Sequence, residues 1–169
     1  MNRRRFLSTL AAGAGALAVP AAYAQSGPAQ MHALAGFDHS GKPVNLQTYA
    51  GKVCLVTFFT AGCASCSADL KLMREFHVAN KARNFVMIGV SLDAKHEDFK
   101  EYMRIVDLSL APDQRFPIVW REAPNHQDTF GTIVKKPTHF VLDKTHKQLL
   151  KREGLFQPND WDDLWLSLG

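Results

Sequence analysis

The chain has 169 residues, with 20 Lys and Arg against 16 Asp and Glu, a formal net charge of +4. Three of those arginines lie among the first five residues, and without residues 1–24 the balance falls to 17 basic and 16 acidic side chains. A nearly neutral folded part argues against nucleic acid or an anionic surface as partner, and three cysteines are too few for a disulfide-stapled scaffold.

The opening "MNRRRFLSTLAAGAGALAVPAAYAQ" joins a basic start to a moderately apolar middle and a small-x-small ending at Ala22-Tyr23-Ala24. That is the anatomy of a bacterial export signal over residues 1–24, with cleavage expected after Ala24. Arg3-Arg4-Arg5-Phe6-Leu7 resembles the twin-arginine pattern. A general secretory signal or a retained membrane anchor are the alternatives, and each puts the folded part outside the cytoplasm, in the periplasm. Residues 25–31 read as a short flexible leader, and 32–169 as one domain with one core.

"DHSGKPVNLQTYAGK" predicts a hairpin around Ser40-Gly41 and a turn at Ala50-Gly51. "VCLVTFF" is continuously apolar and β-branched or aromatic, the pattern of a strand buried on both faces. From Ala64 to about Asn80 the period becomes helical, with Cys66, Leu70, Met73 and His77 on one stripe. "NFVMIGVSLD" is a second buried strand, and "HEDFKEYMRIVD" a helix turning Phe99, Tyr102, Met103 and Val106 inward. "FPIVW" reads as a short strand and "NHQDTFGT" as a short helix. "PTHFVLD" and "KQLLKREG" pair across Lys144-Thr145-His146, and "PNDWDDLWLSL" closes the chain as a helix with Trp161, Leu164, Trp165 and Leu168 on one face. The alternation predicts an α/β fold, a mixed central sheet covered by helices on both faces, with an N-terminal β-hairpin extension.

Cys63 falls where the first buried strand gives way to a helix. The unpaired first-turn N–H groups and the helix dipole favour an anion there, which suits a thiolate. A spacing of three puts Cys66 one turn inward, within disulfide reach. Cys63 is then the attacking sulfur and Cys66 the resolving one. As a staple the pair closes so short a loop that the chain-entropy gain is about 2 kcal/mol. A zinc site would need a second pair of ligands at matching spacing, and no second CxxC or close His pair is present. Thiol–disulfide exchange is the reading these residues favour.

The stretch "VTFFTAGCASCSAD", together with the preceding hairpin, "IGVSLD", and "KKPTHFVLD" with its trailing "KREG", resembles the thioredoxin-fold family. More narrowly, residues 31–155 resemble exported TlpA-like thiol–disulfide oxidoreductases of the redoxin type. The resemblance implies a cis proline at Pro137, packed against the disulfide and shaping the groove for protein thiol or disulfide substrates. It implies an acid at Asp69 that takes or gives the proton for Cys66, although spacing alone equally allows a solvent-facing helix residue. It also implies a membrane electron donor and no organic cofactor, the dithiol itself being the redox centre. Three departures stand out. Gly62 replaces the tryptophan common before the first cysteine, and Phe59 stands where the strand often has Trp. Thr57 occupies the position of the buried acid of thioredoxins proper. Ala64-Ser65 matches neither the reducing Gly-Pro nor the oxidising Pro-His pair, which leaves the direction of electron flow open between reductase, the favoured reading, and oxidase.

Cys54 reads as a small buried hydrophobe. His139 reads as a strand residue with one satisfied nitrogen; the rival is a copper chaperone of SCO-like type, with Cys63, Cys66 and His139 as soft ligands. His77 reads as structural. Thr60 gives the Thr-x-x-Cys spacing of peroxiredoxins, but Val56 stands where those enzymes carry proline, which disfavours a thiol peroxidase.

Overall fold

The computed structural model describes residues 30–169. The segment read as an export signal, and all but the last two residues of the leader, lie outside the described residues. Gln30 and Met31 already pair with the body, through Gln148 N–H to Gln30 O at 2.9 Å and a bridge to Lys147.

The apolar runs form the strands predicted for them. β3 (Val53–Phe59) and β4 (Phe85–Ser91) are buried at every position. They pair in parallel from Val53↔Phe85 to Phe59↔Ser91, and β5 (Ile118–Trp120) continues beside β4. On the other side, β7 (Thr138–Leu142) runs antiparallel to β3, and β8 (Gln148–Glu153) forms a hairpin with β7. The five-stranded order is β5-β4-β3-β7-β8. Asp143 Oδ1 holds the hairpin turn by accepting from the Thr145 and Lys147 N–H groups. A second sheet, β2-β1-β6, is built from β1 (Leu34–Phe37), β2 (Pro43–Asn45) and β6 (Gln127–Asp128). With α1 (Ala64–Ala79), α2 (His96–Ser109) and α3 (Pro158–Ser167), this is the thioredoxin fold of mixed α/β class. No helix among the described residues is long and apolar enough to cross a membrane.

Three expectations differ in detail. The helices do not divide between the two faces of the sheet. Leu70 and Met73 of α1, Phe99, Met103 and Val106 of α2, and Leu164 of α3, followed by Leu168, share one core with Val53, Leu55 and Phe59. The alternate β3 residues Cys54, Val56 and Phe58 pack instead on Leu34, Val44 and Leu46 of the N-terminal hairpin region and on Phe130. The order β3→β4→β5 steps one way across the sheet, so right-handed crossovers place α1 and α2 on the same side. Second, "NHQDTFGT" holds strand β6, paired with β1 at Leu34↔Asp128, because Arg121, His126 and the Phe130 N–H all bind the Asp128 carboxylate and keep the segment extended. Third, only one side of the C-terminal tryptophan pair turns inward. Trp161 packs on Phe76 and Phe156, whereas Trp165 stays half-exposed beneath the Arg83 guanidinium.

Candidate active site

Cys63 and Cys66 are joined in a disulfide at the C-terminal end of β3, with Cα atoms 5.2 Å apart. Cys63 is the N-cap of α1, in extended conformation, and its Sγ accepts the Cys66 N–H at 3.1 Å. A free first-turn amide of the helix, that of its third residue, is thus aimed at the outer sulfur, the arrangement that favours a thiolate. Ser65 Oγ lies 3.4 Å from the same sulfur. Cys63 is partly exposed, while Cys66 is buried in the core. The sequence reading of an outer and an inner sulfur therefore matches their accessibility.

The loop ahead of Cys63 is shaped by Gly62 and Asp93. Gly62 has φ +72°, a conformation that side chains disfavour, which gives a local reason for a glycine directly before Cys63. Asp93, just past β4, accepts the Ala61 N–H on both oxygens at 3.0 and 3.2 Å. Ser91 Oγ donates to Asp93 Oδ2 at 2.7 Å, and Trp120 Nε1–H donates to the Asp93 carbonyl. Sequence reasoning did not single out Asp93. Its signal was an acid directly after a buried strand in "IGVSLD".

Pro137 is buried and follows a cis peptide bond from Lys136. Register puts it one residue beyond the Phe58↔Thr138 pair, at the same end of β3 that leads to Cys63. Its carbonyl accepts the Gly154 N–H at 2.7 Å. Among the described residues, Lys136 makes no backbone hydrogen bond of its own.

Asp69 is buried rather than solvent-facing, at 3 % exposure, one turn along α1 from Cys66. Its Oδ2 accepts two hydrogen bonds, from the Phe156 N–H at 2.9 Å and from His139 Nε2 at 3.0 Å. His139 is fully buried, and its Nδ1 lies 3.2 Å from Thr57 Oγ1. Both imidazole nitrogens are engaged, not one. Neither is free to serve a metal at Cys63, and no cluster of three His, Cys, Asp or Glu side chains able to hold a metal occurs among the described residues. Sequence reasoning found each of these residues but not their contact, which spans 70 positions.

The remaining candidates fall outside this constellation. Cys54 is fully buried on the opposite face of β3, and burial pushes its thiol up to about 12, with Lys52 pulling weakly the other way. His77 packs against Phe85 and Phe116, and burial, helped by Lys81, lowers its basicity. Thr60 is partly exposed in the loop before Cys63.

Residues 27–147 match the AhpC/TSA family. The thiol-disulfide oxidoreductase ResA of Bacillus thuringiensis subsp. konkukian is 24% identical over 117 residues, 69% of this chain and 64% of its own length. The chain thus spans just under two thirds of the curated relatives it matches. Among solved structures, a thiol:disulfide interchange protein of the thioredoxin family from Chlorobium tepidum TLS superposes with TM-score 0.67 at 22% identity, over 86% of this chain and 100% of that one. StoA from Bacillus subtilis superposes with TM-score 0.60 at 17% identity, covering 82% and 99%.

Proposed function

This chain belongs to the AhpC/TSA family, and from that premise we propose that it is an exported thiol–disulfide oxidoreductase that reduces protein disulfides outside the cytoplasm. The observation that carries the reading is the outer sulfur of Cys63, partly exposed and capped by the Cys66 N–H, joined to a buried partner at the end of β3 where Pro137 also lies. The ResA relative, itself named a thiol-disulfide oxidoreductase, supports the same chemistry.

In the reducing direction the Cys63 thiolate attacks one sulfur of a client disulfide. That S–S bond breaks, a mixed disulfide forms, and the expelled client thiolate takes a proton from water. Cys66 then loses its proton, with Asp69 one turn away as the acceptor, and attacks the Cys63 sulfur. The mixed disulfide breaks, the second client thiolate leaves and is protonated, and Cys63–Cys66 is restored. Two electrons pass from the protein dithiol to the client. The Lys136 backbone, which makes no hydrogen bond of its own among the described residues, offers an extended client segment a strand to lie against.

Direction follows from how weakly the thiolate is held. Strong oxidants stabilise the reduced form through neighbouring cations. Here only a backbone N–H and the Ser65 hydroxyl contact the Cys63 sulfur. A weakly held thiolate suits a reductant, which in an oxidising compartment needs recharging by a membrane electron donor. The signal at 1–24 and a periplasmic domain over 32–169 belong to the same proposal.

The test is reduction of insulin disulfides together with equilibration against a thiol buffer. Activity should vanish in Cys63→Ser, and the midpoint should lie near about −270 mV. A midpoint of about −180 mV or above would reverse the assigned direction, and undiminished activity in Cys63→Ser would remove the function altogether.

A further inference from the structure

A cleft of about 340 Å³ opens directly beside the reactive sulfur, between the Ala61–Gly62 loop and the first turns of α2. Gly62 sets its mouth. This residue is exposed, directly precedes Cys63, and has no atom within 4 Å of the point where a side chain would begin. No side chain at this position stands between the cleft and the outer sulfur.

The cleft has an apolar wall and an acidic rim. Ile105 is 49 % exposed there, and the Tyr102 ring, which packs on Phe59, forms the rest of the wall. Burial raises the Tyr102 phenol; Arg74 pulls it back and Asp93 adds to the rise, so the ring stays neutral. On the rim, Asp93 accepts from the Ala61 N–H and the Ser91 hydroxyl. Glu101 is held through both oxygens by Arg104, and the exposed Asp98 has no ion pair among the described residues. No basic side chain among the described residues lines the cleft. Three carboxylates against one guanidinium leave two negative charges uncompensated. Lys136, which precedes β7, stands on the opposite side of β3 from Asp93, which follows β4, so the negative field is confined to the α2 side of the sulfur.

Apolar surface topped by carboxylates fits a side chain that is apolar along its stem and cationic at its tip. A guanidinium adds a stack on an aromatic face and two-oxygen hydrogen bonding to a carboxylate. We propose that the cleft is a client subsite that takes an arginine or lysine adjacent to the client's cysteine and makes the exchange selective for basic segments. The inference rests on the exchange reaction above and deepens it. The occupant is continuous with the client disulfide, because the cleft begins one residue from Cys63 and neighbouring client residues lie about 3.5 Å apart along the chain. Asp98 and Glu101 are specificity residues. No bond to sulfur changes at either, and their charge acts on the encounter and on the bound mixed disulfide.

Two measurements on the full chain test this. The first uses disulfide-linked peptide dimers with Arg, Gln or Glu beside the cysteine, placed before it in one set and after it in another. Single-turnover Cys63 attack is followed by stopped flow, and each rate is divided by that of dithiothreitol on the same peptide, which removes the client's intrinsic reactivity. In one of the sets the Arg dimer should react about tenfold faster than the Glu dimer at low salt, the gap narrowing as salt is added. Asp98→Lys with Glu101→Lys should shrink that ratio and make the Glu dimer react faster than it does with wild type, a gain that damage to the fold does not produce. The thiolate's own charge is common to both proteins. Arg and Glu rates within about twofold of each other in both sets, or a ratio that the double variant leaves unchanged, overturn the proposal. The second holds the chain in its disulfide form, labels the Ile105 methyl with 13C, and titrates in a sulfur-free Arg-Ser-Arg peptide. The methyl should shift saturably with this peptide but not with Glu-Ser-Glu, and the shift should fade in Asp98→Asn. A methyl that stays still, or answers both peptides alike, refutes the subsite. If the wild type trades no disulfide with any dimer yet the methyl answers the cationic peptide, the exchange function fails and the subsite stands. Active exchange that ignores charge, with a silent methyl, is the converse.

Discussion

Asp128→Asn isolates the charge that holds β6 in place. The Asp128 side chain is almost entirely buried and takes a two-oxygen contact from Arg121 at 2.8 and 2.7 Å, a 2.7 Å bond from His126, and the Phe130 N–H. Burial alone would push the carboxyl up; the His126 and Arg121 hydrogen bonds, the Phe130 N–H and the Arg121 charge overcome that and bring it from 3.8 to about 2. At 1.36 kcal/mol per pH unit, the fall corresponds to about 2 kcal/mol of stability. Because the folded value is depressed, the contribution is complete above the unfolded value near 4 and disappears as pH drops through 2. About half should remain at pH 3. Urea unfolding of wild type and Asp128→Asn should therefore differ by about 2 kcal/mol at pH 7 and by about 1 kcal/mol at pH 3. A difference below about 0.5 kcal/mol, or one equal at both pH values, would refute the electrostatic account.

Three shorter predictions accompany it. With its thiol pushed up to about 12 and no exposure, Cys54 should resist maleimide at pH 8 after reduction, so that the partly exposed Cys63 labels in the folded protein while Cys54, like the buried Cys66, labels fully only in denaturant. Three rapid thiols would contradict that burial. Leu164→Ala removes a fully buried side chain from the core shared by all three helices and should cost about 3 kcal/mol, measured by urea unfolding; a loss under about 1 kcal/mol would mean that α3 is loosely packed. Asp93→Ala deletes the acceptor of the Ala61 N–H and should destabilise by about 3 kcal/mol while slowing Cys63 attack several-fold in stopped flow, since the loop ahead of the sulfur loses its anchor. An unchanged attack rate would show that Gly62 and the helix alone position Cys63.

What the sequence disclosed was local. β3, α1 and β4 fall within two residues of their predicted bounds, because an unbroken apolar run and a 3.6-residue stripe state burial directly. Cys63 and Cys66 could be placed for the same reason, the cap lying between two such patterns. Contacts that join distant segments were not legible. Asp93 reaches Ala61 across 32 positions and His139 reaches Asp69 across 70, and nothing in the neighbourhood of either residue marks its partner. The two-residue strand β6 is too short for any period, and the carboxylate contacts that keep it extended come from side chains whose convergence only the fold creates. The placement of all three helices on one face depends on strand order, which composition does not encode.

The closing helix does more than finish the chain. Phe156 lends its amide to Asp69, Asp160 balances charge beside the imidazole, and Leu164 and Leu168 seal the same compartment that holds Cys66. Residues 156–169 thus roof the compartment beside the Cys63–Cys66 disulfide. Cutting them away, or prying them loose with a bulky C-terminal fusion, would admit water to the buried Asp69–His139 contact and strip Leu164 and Leu168 from the core that holds Cys66.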